Sequence, residues 1–280
     1  MKKRIKQLVK SVIGGSVQIA AKSAAGRYFL EQVLNTAMSK TRVVRHGDVA
    51  LSFVVPNGLN HFRIDTFSSK EPEMLEWLDE IARDSVVWDV GANVGLYTCY
   101  AAKARHCQVF AFEPSVFNLE LLARNIFLNG LADRATIVPL PLSDKLANSA
   151  LNMTTTEWGG ALSTFGETYT HDGQTLRKVF EFQTIGVSMD DAVERLRIPP
   201  PDYIKMDVDG IEHLILKGGA NVLRNVKGVI IEINEAFEKQ CIDSAEYLSA
   251  AGLVLKEKRH AEMFKDTVCF NQIWHRPSVQ

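Results

Sequence analysis

The stretch Val86-Val87-Trp88-Asp89-Val90-Gly91-Ala92-Asn93-Val94-Gly95 decides how the rest of this chain is read. Val86 to Val90 have the composition of a short buried strand, Gly91 to Gly95 that of a tight turn, and Leu96 onward that of a helix. A strand that passes through a glycine turn into a helix gathers backbone N–H groups and a helix N-terminus at one point. Gly91 and Gly95 permit positive φ and a close approach of the main chain to a ligand. An ordinary strand–turn–helix corner shares this local pattern, so the residues that follow carry the decision.

The next apolar run, Gln108 to Phe112, ends in Glu113. An acid about twenty positions after the glycine turn is the usual acceptor for ribose hydroxyls in nucleotide-binding α/β folds. The turn reads Asp-x-Gly-x-x-x-Gly, so the close glycine pair that admits a pyrophosphate is missing. That spacing suits a nucleoside ligand without phosphates, and S-adenosylmethionine is the common one. It disfavours a nicotinamide-dependent oxidoreductase. A non-catalytic nucleoside-binding or membrane-associated scaffold is the other alternative.

The chain has 280 residues, 46% of them hydrophobic, and a formal net charge of -1. These values fit one large α/β domain with an extension, and the charge gives no whole-protein case for nucleic-acid binding. Cys99, Cys107, Cys241 and Cys269 form no Cys-x-x-Cys pair, which reads as reduced thiols in a cytoplasmic protein. Residues 1–40 form a basic helical extension, where Lys2, Lys3, Arg4, Lys6, Lys10, Lys22 and Arg27 face one acid, Glu31. Its apolar run, Val12 to Ala21, is too short to span a bilayer. It suits either a solvated helix packed loosely on the domain or a peripheral contact with the inner face of a membrane. Residues 41–280 read as a single domain, with a small strand layer at 41–70.

In that layer, Val49, Leu51, Phe53 and Val55 alternate, as do Phe62, Ile64 and Thr66, and Pro56-Asn57-Gly58 predicts the hairpin turn between them. Strands are expected at Thr136 to Leu142, Tyr203 to Asp207 and Gly228 to Asn234. Ser188 begins a helix as its N-cap, which explains Asp190 and Asp191 structurally. Leu253 to Lys256 and Thr267 to Ile273 have no helical segment between them, so an antiparallel pair at the edge of a mostly parallel sheet is expected. The irregular region around Trp158-Gly159-Gly160 and Ser163-Thr164 is the expected place for substrate contacts.

In open parallel sheets, ligands sit beyond the carboxyl ends of the strands. Asp89, Glu113, Ser143-Asp144, Asp207 and Glu232 to Asn234 all fall at such ends. Asp207 is the leading general base, His213 the second candidate and His260 a weaker one, while Lys205 is expected to pair with a rim carboxylate. Asp207, Glu232 and Asn234 could supply oxygen ligands to Mg2+, but rim carboxylates more often act as caps and ion pairs, so a metal is not favoured.

Three runs together carry a family resemblance: Asp-Val-Gly-Ala-Asn-Val-Gly at 89–95, Phe-Glu-Pro-Ser at 112–115, and Ile-Lys-Met-Asp-Val-Asp-Gly-Ile-Glu at 204–212. With Glu-Pro-Glu-Met-Leu-Glu-Trp upstream, they resemble the FkbM-type methyltransferases, over roughly Asn60 to Asn234. The resemblance implies a class I, Rossmann-like S-adenosylmethionine-dependent fold. It also implies O-methylation of a sugar, glycan or other hydroxylated natural product. By that similarity Asp89, Gly91, Asn93 and Gly95 line the methionine end of the cofactor, Glu113 holds the ribose, and Ser143 and Asp144 lie near the adenine. Where the family more often carries Glu, this chain carries Asp209. Oligomeric state and acceptor identity are not legible.

Overall fold

The computed structural model describes residues 2–260 and 262–277, so Met1 of the basic extension and residues 278–280 of the main domain lie outside the described residues. The chain opens with two helices, α1 (Lys2–Ala20) and α2 (Ala24–Met38), and a strand pair, β1 (Thr41–His46) and β2 (Val49–Val54). Helices α3 (Gly58–Asp65) and α4 (Pro72–Glu80) lead into the alternating part: β3 (Val86–Val90), α5 (Leu96–Ala104), β4 (Gln108–Phe112), α6 (Val116–Leu128) and β5 (Ala135–Val138). An inserted sheet follows, made of β6 (Ala147–Met153), β7 (Ser163–Phe165) and β8 (Phe180–Gly186). The chain closes with α7 (Met189–Glu194), β9 (Tyr203–Met206), α8 (Glu212–Lys217), α9 (Ala220–Leu223), β10 (Gly228–Asn234), α10 (Glu238–Ala250), β11 (Val254–Arg259) and β12 (Cys269–His275).

The central sheet has the order β11-β12-β10-β9-β3-β4-β5. Five strands run parallel from β5 to β10, and β12 lies antiparallel to both β10 and β11. The expected antiparallel terminal pair is therefore present, and among its described residues the segment between the strands holds one short 3-10 turn, Glu262–Phe264. Both faces of the parallel strands are apolar because helices cover both sides. Trp88, Ile204, Val229 and Ile231 pack on one side, and Val87, Val109, Ala111 and Ile230 on the other. Strand order reverses between β3 and β9, and there the carboxyl ends open a crevice.

Two expectations change. The hairpin of the strand layer turns at Gly47-Asp48, not at Pro56-Asn57-Gly58, and pairs Thr41–His46 with Val49–Val54. Asn57 instead caps a helix, its Oδ1 accepting the Asn60 N–H at 2.9 Å. The alternation of Phe62, Ile64 and Thr66 is thus spacing on a helix, with Ile64 buried and Phe62 exposed. The third parallel strand stops at Val138, so Leu140, Pro141 and Leu142 lie beyond it in irregular backbone.

Candidate active site

A cavity of about 770 Å³ opens at the carboxyl edge of β3, β4, β9 and β10. Its floor is the turn quoted at the outset. Gly91 adopts φ +80, and a Cβ there would lie 1.9 Å from the Asp207 carbonyl oxygen. The required close approach is therefore between two strand ends, β3 and β9, rather than between main chain and ligand. Gly95, at φ +84, is the N-cap of α5, where a Cβ would lie 2.4 Å from Leu122 Cδ1; it serves packing and does not line the cavity.

The turn's N–H groups are all taken. Gly91 and Ala92 donate to Phe112 O, Asn93 to Glu113 Oε2, Val94 to Asn93 Oδ1, and Gly95 to Ala92 O. The cradle of amides that a phosphate needs is consumed internally, in agreement with a ligand that carries none. Glu113 lines the cavity and accepts the amides of Asn93 at 2.8 Å and Ser115 at 2.7 Å. A carboxylate has about four lone-pair sites, and the Asn118 side chain also hydrogen-bonds Glu113, so about one remains for a ligand hydroxyl. Burial pushes the Glu113 carboxyl up to about 7, against the lowering effect of those amide bonds.

Asp89 lies behind the turn rather than in the cavity. It is buried, accepts the Thr98 hydroxyl and sits 3.2 Å from Lys205 Nζ. Lys205 also donates to Gly91 O at 2.9 Å and lies 3.9 Å from Asp207. The expected pairing of Lys205 with a rim carboxylate is thus a three-way tie between the cofactor turn and two acids. Ser143 and Asp144 also fall outside the cavity: Ser143 N–H bonds Val187 O, and Asp144 pairs with Lys217 at 3.2 Å. Leu140, Pro141 and Leu142 take that wall instead, because the strand ends early.

Asp207 lines the cavity with its side chain about 29% exposed. Around it stand Glu71, Asp209 and Glu232. Burial and the charge of Asp207 push Glu232 well above the usual carboxylate range and Asp209 up to about 6. Asp209, at φ +62, also accepts the Leu162 N–H at 2.6 Å and so ties the inserted loop to the rim. Glu212 turns inward, caps the Val208 and Gly210 amides and stays out of the cavity. His213 is likewise outside it. Its ring lies edge-on to Phe237 at 5.7 Å, and burial pushes its pKa down to about 4, which corrects its candidacy as an active-site group.

The inserted loop lines one wall of the cavity through Gly160, Ala161, Leu162 and Ser163. Asn57 and Asn60 hold Trp158 O, Arg63 holds Gly159 O, and Asn93 and Asn118 hold Gly160 O. Sequence reasoning missed several lining groups. His171, whose buried Nδ1 has no hydrogen-bond partner, comes from the loop beside Asp209 and Gly210. Lys70, Glu71 and Tyr97 form a second cluster, with the Tyr97 hydroxyl donating to Glu71 at 2.7 Å. His260 lines the far side, against Phe270. Among the described residues, no group of three or more His, Cys, Asp or Glu is arranged to hold a metal ion.

A cavity at the switch point of a seven-stranded sheet, with an antiparallel terminal pair, defines a Rossmann-like α/β protein with its ligand site at the strand ends. Residues 89–264 match the model of the methyltransferase FkbM domain, and the chain belongs to that methyltransferase family. The hexuronic acid methyltransferase AglP of Haloferax volcanii is 29% identical over 204 residues, covering 73% of this chain and 78% of that protein. Protein arginine N-methyltransferase 2 of Dictyostelium discoideum is 33% identical over 87 residues, 30% of this chain and 16% of that protein. The FkbM methyltransferase structure from Methylobacillus flagellatus shares the fold at a TM-score of 0.50 and 15% identity, covering 78% of this chain and 52% of its own. The family membership sets aside the oxidoreductase reading.

Proposed function

We propose that this chain transfers a methyl group from S-adenosylmethionine to a hydroxyl oxygen of a sugar, with Asp207 as the general base. The observation that carries the reading is the convergence of Gly91, Asn93, Glu113 and Asp207 on one cavity. The residues fit the cofactor. Glu113 keeps acceptor capacity for ribose, Phe112, Pro114 and Leu140 to Leu142 supply an apolar wall for a base, and the acids of the rim favour a cationic sulfur. When bound, S-adenosylmethionine supplies an electrophilic methyl group that needs no activation by the protein.

The chain's residues then have two tasks, positioning the acceptor oxygen and receiving its proton. Asp207 lines the cavity and is the rim acid tied through Lys205 to the cofactor turn. Mg2+ is not required by this arrangement. The sugar class is supported by the hexuronic acid relative. Lys70 and Arg63, both at the cavity, suit an acidic sugar among the possible acceptors. Four free cysteines are consistent with a cytoplasmic setting.

The test is incubation of the purified chain with isotopically labelled S-adenosylmethionine and a panel of neutral, acidic and amino sugars, free and in oligosaccharides. Label recovered in an alkali-stable ether on a sugar hydroxyl supports the reading. Label on a nitrogen overturns it, and so does label in an alkali-labile methyl ester, since a carboxylate acceptor needs no base.

A further inference from the structure

Charge is divided unevenly along the chain. Residues 1–40 hold eight Lys and Arg against one acid, and the rest holds 24 against 32. The basic residues gather in α1 and the turn after it, and most of the large apolar side chains of α1 and α2 are exposed. Ile5, Leu8, Val12 and Ile19 on α1 are 55, 67, 62 and 71% exposed, and Tyr28 and Phe29 on α2 are 64 and 61% exposed. From Gln7 to Ala20, on a 3.6-residue period, the apolar residues of α1 fall on one half of the helix with Ser16 among them, while Lys10, Gln7 and Gln18 lie on the other half or at its border. An apolar half-cylinder flanked by cations, with scarcely an acid to oppose them, is the composition of a helix lying in a membrane interface. No described helix is long and apolar enough to cross a membrane, so the geometry is that of lying on a surface.

From these features we propose that α1 and α2 dock this protein onto an anionic lipid bilayer. A second copy of the chain is a poorer occupant, because pairing two such faces would bring two strongly basic segments together. The placement of α2 gives the docking a consequence. Met38, at the end of α2, is buried with Val54, Val94 and Leu121 and packs against Leu96 and Trp158. Val94 and Leu96 line the cavity, and Trp158 belongs to the inserted loop whose next residues, Gly160 to Ser163, line it too. The end of α2 therefore packs directly against residues of the cavity wall, which places the docking helices next to the site. The docking does not depend on which acceptor is used.

Flotation of the full chain with vesicles tests this. Wild-type protein should float with phosphatidylcholine vesicles containing about a third phosphatidylglycerol, about tenfold less with phosphatidylcholine alone, and high salt should release it. The double substitution Leu8→Asp with Val12→Asp alters exposed positions only, so it should leave S-adenosylmethionine binding by calorimetry unchanged and lose flotation. Equal partition onto both vesicle types, or no flotation at all, overturns the proposal. A stable dimer in solution that the double substitution dissolves overturns it as well, by assigning the face to a second copy.

Discussion

Replacing Glu113 by Gln removes one oxygen from a carboxylate whose two oxygens each accept a main-chain amide, from Asn93 and from Ser115. Whichever way the new amide group is turned, its NH₂ faces one of those N–H donors. That leaves a buried donor unsatisfied, at a cost of about 1–3 kcal/mol in folding stability. The ribose loses a charge-assisted acceptor, worth about 1.5–3 kcal/mol, which corresponds to a roughly 10- to 150-fold rise in Kd. Calorimetric titration of S-adenosylmethionine into the folded variant reads the second effect, and chemical denaturation reads the first. The variant also removes a pH effect. Burial holds the Glu113 carboxyl at about 7 in the fold against 4.5 for the free side chain. The neutral form is therefore favoured in the native state, and its stabilisation is full below about pH 4.5 and lost as pH rises through 7. Wild-type stability should accordingly fall more between pH 5 and pH 7 than that of Glu113→Gln. A folded variant with unchanged Kd would refute the ribose assignment.

Gly91→Ala should lower stability by at least about 3 kcal/mol, since the new Cβ meets a backbone carbonyl at 1.9 Å in a left-handed conformation; a thermal melt within 1–2 °C of wild type would contradict this. His213→Leu should keep turnover near wild type, because His213 lies outside the cavity. The same change should flatten stability on the acid side: His213 has its pKa lowered to about 4, so its contribution is present above 6.5 and lost as pH falls toward 4. Loss of turnover in a stably folded His213→Leu would return that residue to the mechanism.

The parts of the fold legible in the sequence were those with a local physical cause. Val86 to Gly95 combine β-branched residues with two glycines that both prove to need positive φ. Ser188 announces a helix start through its cap, and the all-apolar run from Val229 to Ile231 announces a strand buried on both faces. What misled was alternation too short to identify a period. Phe62, Ile64 and Thr66 fit a strand until the Asn57 cap commits the segment to a helix. Helix α8, with only six residues, gave no guide to the direction of His213. Ser143 and Asp144 read as rim residues only if the strand runs on past Val138, where it ends. The cluster of Lys70, Glu71 and Tyr97 and the approach of His171 to Asp209 join segments far apart in sequence. No spacing rule encodes such contacts.

Turnover of Asp207→Asn measures most directly whether Asp207 receives the proton of the acceptor hydroxyl. With saturating S-adenosylmethionine and the acceptor identified by labelling, the variant should bind the cofactor normally and lose roughly 10²–10⁴-fold in kcat, and a chelator should leave the wild type unaffected. Near-normal kcat in Asp207→Asn, or wild-type activity abolished by chelator and restored by magnesium, would contradict the account.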